Sequence, residues 1–175
     1  MTRAQLEHII RAAGAIAEDD DILIVGSQSL LGQFPNAPTE FVISLEADVI
    51  PLQHPERSDL IDAALGDGSR FERTYGYFAH GVGLETSILP AGWRSRLIPV
   101  FNENTRGVRG WCLEVHDLAL AKLAAGRPKD LDFVAALVNR KMADPGLLRS
   151  RADSMDLADD AQALLLARLQ KWPVA

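Results

Sequence analysis

Two carboxylates, Glu46 and Asp48, stand one residue apart inside the apolar run from Phe41 to Ile50. If that run is a strand, alternation with period two puts both side chains on one face. A pair of oxygen ligands on one face can hold a divalent cation such as Mg²⁺. Upstream, the apolar Ile22–Val25 leads into Gly26-Ser27-Gln28. A Gly-Ser turn that opens a helix presents backbone N–H groups and the positive end of the helix dipole, which suits phosphate. Each feature also has an ordinary explanation. Strand-Gly-Ser-helix is a common tight turn with an N-cap, and paired carboxylates often end a strand in water. Together they place a phosphate cradle and a cation site on strands that can be neighbours, and metal plus phosphate is nucleotide chemistry.

Other side chains invite chemistry less directly. Glu85, in Leu84-Glu85-Thr86-Ser87-Ile88, is a carboxylate on a later expected strand, and an exposed strand residue is its plain reading. Lys122, Arg127, Lys129 and Asp130 surround Gly126 and Pro128. Lysine suits phosphate as a point charge and arginine suits it bidentately; surface charges on two helix ends are the plain alternative. Arg94, Arg96, Arg106 and Arg109 are the best basic patch for an RNA. His116 has no nucleophile motif near it, Asp117 reads as an N-cap or first-turn dipole partner, and Cys112 reads as a buried thiol.

The elements that must position these residues are legible as patterns. Leu6, Ile9, Ile10, Ala13, Ile16 and Ala17 predict a helix over 4–17. A short buried strand follows at Ile22–Val25, then a helix with Ser27 as its N-cap. Further strands are expected at Phe41–Ile50, Tyr75–Phe78, Val82–Leu89, Leu97–Phe101 and Trp111–Val115, with a helix at Arg57–Leu65. From Asp117 onward the pattern is helical, ending in a helix over Leu157–Trp172 whose Leu164, Leu165 and Leu169 form an apolar face. The expected organisation is an αβ core over 1–115 and a C-terminal helical segment over 116–175 packed on it.

Bulk properties set bounds. A chain of 175 residues fits one domain, or one with a helical annex. The net charge of −6 argues against a dedicated nucleic-acid binder. One cysteine excludes an intramolecular disulfide and fits a reducing cytoplasm. The amphipathic start, broken by Glu7 and Arg11, does not read as a signal peptide, and no apolar run is long enough for a membrane span.

The pattern IVGSQ followed by Glu-x-Asp resembles the nucleotidyltransferase fold of the polymerase-β superfamily. The segments GSQSLLGQFPNAP, SLEADVIP, GVGLETSILPAGWRSRL and NENTRGVRGWCLEVHDLALAKLAAGRPKDLDFV resemble an uncharacterised bacterial branch of it, close to the AbiEii-like abortive-infection toxins. The likeness covers residues 22–138, with Glu46 standing where the superfamily usually has Asp. It implies an α+β fold, a mixed sheet with flanking helices. It also implies Mg²⁺-dependent transfer of a nucleoside monophosphate from an NTP to an acceptor hydroxyl. Glu46 and Asp48 would hold the metal, with Glu85 as the third acid. Gly26, Ser27 and Gln28 would meet the β- and γ-phosphates, and Lys122, Arg127, Lys129 and Asp130 would form a Lys…Arg-x-Lys-Asp nucleotide-binding segment. The implied acceptor is RNA such as a tRNA end, and the implied partner is a cognate antitoxin protein. Two alternatives stay open: an inactive interaction module of the same fold, and a transferase that nucleotidylates a small molecule.

Overall fold

Thr2 and Gln5 start the first helix with a capping box: the Thr2 hydroxyl accepts from the Gln5 N–H and the Gln5 side chain accepts from the Thr2 N–H. In the computed structural model, which describes residues 1–172, this helix is α1 (Arg3–Ala17), followed by β1 (Asp21–Val25), α2 (Leu30–Gln33), β2 (Glu46–Pro51), α3 (Ser58–Leu65) and α4 (Arg70–Tyr75). Then come β3 (Phe78–Gly81), β4 (Ile98–Val100), β5 (Arg109–Cys112), α5 (Val115–Ala125), α6 (Pro128–Asn139), α7 (Pro145–Ala152) and α8 (Asp159–Leu169). The last three residues of the expected 116–175 segment lie outside the described residues. No helix among the described residues is long and apolar enough to cross a membrane.

The five strands form one mixed sheet in the order β3-β2-β1-β5-β4. β1 runs antiparallel to β2 and parallel to β5, and β2 runs parallel to β3. The α+β expectation therefore holds: a mixed sheet with flanking helices. Leu6, Ile9, Ile10 and Ala13 of α1 and Ile61 and Leu65 of α3 share one core with Ile22, Ile24, Ala47, Val49 and Ala79 of the sheet. Alternation then puts the intervening residues of β2 and β3 on the opposite face.

The chain divides into two compact units. One holds Met1–Thr86 with Leu97–Leu113; the other holds Ser87–Arg96 and the chain from Glu114 onward. In the second unit Glu114 caps α5, and Asp117, 1% exposed, accepts from Arg96 at 2.8 and 3.1 Å and from Arg151 at 2.9 Å. Glu114 is thus the N-cap, and Asp117 sits in the first turn holding two arginines.

Several expected elements shift. The strand starting at Phe41 begins only at Glu46, because residues 39–41 form a tight 3₁₀ turn. The strands expected around His80 are replaced by α4, stopped at the left-handed Gly76 (φ 75°), and by the single strand β3, which contains His80. Residues 84–86 are a 3₁₀ turn. Ser27 is not a side-chain cap: Gly26 precedes a three-residue 3₁₀ turn, Ser27–Ser29, and the Ser29 hydroxyl donates to the Gly26 carbonyl at 2.8 Å. Of the four arginines expected to form a basic patch, Arg96 is committed to Asp117 and Arg109 to Asp21, the latter at 2.7 and 2.8 Å.

Candidate metal and phosphate site

Strand register builds the site. Val25 of β1 lies opposite Asp48 of β2, and Asp48 lies opposite His80 of β3. Glu46, two residues before Asp48, shares its face. The result is a group in which one ligand atom each from Glu46, Asp48 and His80 lies within 4.8 Å of the others. Donors around one ion at bond lengths of roughly 2.1 Å are about 3–4 Å apart, so small side-chain rotations suffice for a shared ion.

Neighbouring residues hold each member in place. The Ser44 hydroxyl accepts from the Glu46 N–H at 3.1 Å, and Gln28 Nε2 donates to the Ser44 carbonyl at 3.0 Å. Gln28 is therefore buried, its side chain committed to the approach to β2; Gln28 Oε1 is buried without a hydrogen-bond partner. β3 is pinned by α3: the Gly81 N–H donates to Asp62 Oδ1 at 3.0 Å, and the Ser58 hydroxyl donates to the Val82 carbonyl at 3.2 Å. Gly26 has φ 66° and ψ −169°, a region essentially reserved for glycine. It also leaves room for Asp48, because a Cβ there would sit 2.4 Å from Asp48 Oδ2.

His80 Nδ1 and Glu46 Oε1 are 2.6 Å apart. Burial pulls the imidazole pKa down, but the hydrogen bond to Glu46 and the charges of Glu46, Asp62 and Asp48 outweigh it, and the net shift is upward. Glu46 and His80 are each more than a third exposed, so a solute can reach them.

The third member of the cluster is His80, not Glu85. Glu85 lies in the 84–86 turn, and its carboxylate folds over Gly83, where a Cβ would meet Glu85 Oε1 at 2.0 Å. The expected strand fails there because the Thr86 N–H and hydroxyl both bond back to the Gly83 carbonyl, at 3.1 and 2.8 Å. The alternating Leu-Glu-Thr-Ser-Ile letters do not reveal that turn.

Lys122, Arg127, Lys129 and Asp130 belong to the second unit. Asp130, 1% exposed, accepts from Lys122 Nζ at 3.1 Å and from Arg127 Nε at 2.6 Å. Burial pushes its carboxyl pKa up, but the bonds from Arg127 and Lys122 pull it below the usual range. Lys122 also lies 4.5 Å from the centre of the Phe133 ring, whereas Lys129 is exposed.

A mixed sheet carrying an acidic pair beside a glycine turn is consistent with a nucleotidyltransferase-like fold. The family model described as "Nucleotidyltransferase of unknown function (DUF6036)" matches residues 4–172, and the chain belongs to that family. Neither a curated protein nor a solved structure matches the chain significantly.

Proposed function

We propose that the protein transfers a nucleoside monophosphate from an NTP to an acceptor hydroxyl, with a divalent cation held by Glu46 and Asp48. The observation that carries this reading is the convergence of both carboxylates beside Gly26, on the sheet face opposite the helical core. Bound there, the ion would neutralise phosphate charge; the resemblance makes Mg²⁺ the expected ion. Asp48 lies against the Gly26 turn, and the backbone N–H groups of Ser27 and Gln28 would meet phosphate oxygens. The buried Gln28 side chain contributes indirectly by fixing Ser44 and hence Glu46. The resemblance also assigns Lys122 and Arg127, both held by Asp130 within the second unit, to nucleotide binding. An RNA acceptor such as a tRNA end, and a cognate antitoxin partner, follow from the resemblance to AbiEii-like toxins.

The position of Glu85 favours a second reading, an interaction module that keeps the fold without the third acid. Calorimetric titration of ATP, CTP, GTP and UTP with Mg²⁺ on wild type and Asp48→Asn separates the two. Metal-dependent binding lost in the variant supports the transferase and names the donor. Transfer of labelled nucleotide to total tRNA then tests the acceptor. Folded protein that binds no NTP supports the module.

A further inference from the structure

We propose that His80 is the third metal ligand and makes the site a mixed nitrogen–oxygen centre selective for a divalent first-row transition ion over Mg²⁺. The proposal rests on the reading of Glu46 and Asp48 as a metal pair and specifies the ion they hold.

Three observations carry it. The backbone places His80 on the site by register: it is the residue opposite Asp48 in the β2–β3 ladder, so its side chain leaves the sheet on the carboxylate face. The imidazole already reaches the pair, with Nδ1 2.6 Å from Glu46 Oε1. The group that could share an ion contains His80 and two carboxylates, and Glu85, the acid that would have made it all-oxygen, is folded over Gly83.

Chemistry then discriminates between ions. Mg²⁺ is held by charge and by hard oxygen donors, and gives up water reluctantly. Exchanging a carboxylate for a neutral imidazole removes one negative charge and one oxygen from its shell. First-row transition ions accept an imidazole nitrogen readily, and their affinity for nitrogen–oxygen sites rises along the series from Mn²⁺. Asp62, whose Oδ1 accepts from the Gly81 N–H next to His80, helps fix the strand that carries the ring.

The test uses Mn²⁺ as the probe ion. Binding of Mn²⁺ and Mg²⁺ is measured by calorimetry on wild type, His80→Asn, His80→Asp and Asp48→Asn, with circular dichroism to verify folding. Pulsed electron paramagnetic resonance on Mn²⁺-loaded wild type reads nitrogen coupling from a bound imidazole directly, without any variant. Expected are binding of Mn²⁺ tighter than Mg²⁺ by about tenfold or more, and a nitrogen coupling absent from His80→Asn. His80→Asp, which restores an all-oxygen set, narrows the Mn²⁺ to Mg²⁺ ratio. Mn²⁺ that binds wild type and His80→Asn alike and shows no nitrogen coupling overturns the role of His80 while the Glu46–Asp48 metal reading stands. Wild type that binds neither ion overturns both.

Discussion

A methyl group on Gly26 would lie 2.4 Å from Asp48 Oδ2, so the glycine turn and the carboxylate occupy interlocking space. Two demands meet at this glycine: a backbone conformation with φ 66° and ψ −169°, and room for a neighbour's oxygen. Gly26→Ala is expected to cost roughly 1–3 kcal/mol through backbone strain and to displace Asp48. Gly68, at φ 74°, is the control, because a methyl group there would meet nothing within 4 Å. Gly68→Ala carries backbone strain alone, roughly 1–2 kcal/mol. Urea denaturation should show both variants destabilised, and calorimetry should show Mn²⁺ binding lost only in Gly26→Ala. Undiminished Mn²⁺ binding by Gly26→Ala would show that the interlock does not position Asp48.

Glu85 and Asp48 should separate cleanly. Asp48 belongs to the cluster in which ligand atoms lie within 4.8 Å, and Glu85 is turned onto Gly83. Glu85→Gln is expected to leave divalent-ion affinity within about threefold of wild type, whereas Asp48→Asn lowers it by about tenfold or more. Calorimetric titration reads both. A large loss on Glu85→Gln would mean that the 84–86 turn rearranges to bring this acid to the ion.

Much of this arrangement is legible in the amino-acid sequence. α1, β1 and α3 follow from apolar periodicity, and Glu-x-Asp on one face follows from the pleat. His80 escapes a sequence reading because β3 is only four residues long and its aromatic flank, Tyr75–Phe78, imitates a strand. A signal is present: Ser69 followed by Glu72 is a helix-start pattern, and the Ser69 hydroxyl does accept from the Glu72 N–H at 3.1 Å. Reading α4 there moves the strand onward to His80. The fate of the arginines is not legible, because Arg109 and Arg96 find Asp21 and Asp117, partners 88 and 21 residues away. Those pairings depend on the completed sheet and helix, which local patterning does not encode.

Asp130 should matter for stability as well as for orienting cations. It is buried and receives both Lys122 and Arg127. Arg127 is largely exposed and can return to water, but Lys122 is mostly buried and would lose its charge partner, so Asp130→Asn is expected to cost about 1–3 kcal/mol. Lys129→Ala, at an exposed position of the same turn, should stay within about 0.5 kcal/mol. Denaturant midpoints check both values. An Asp130→Asn midpoint equal to wild type would show that Lys122 and Arg127 do not depend on this carboxylate.

Acid sensitivity of the helical unit should centre on Glu114. Its carboxylate caps α5 through the His116 N–H at 3.1 Å, lies 2.6 Å from His116 Nδ1 and accepts from Arg151. Burial pushes its pKa up, but the bonds and charges of His116 and Arg151 prevail and lower it from 4.5 to about 2. A carboxyl with a depressed folded pKa contributes stability that is fully present above its unfolded value and is lost as pH falls toward the folded one. That window runs from 4.5 down to about 2. The difference corresponds to a contribution of order 3 kcal/mol. Other carboxylates with lowered pKa values, Glu7, Asp21 and Asp130, steepen the wild-type curve too, so the comparison must be with Glu114→Gln. That variant keeps a capping oxygen and removes the charge. It should be less stable than wild type near neutral pH, and the gap should close as both are taken down through the window. Urea unfolding followed by circular dichroism across that range measures it; a gap that does not change with pH would assign the loss to packing rather than to the Glu114 charge.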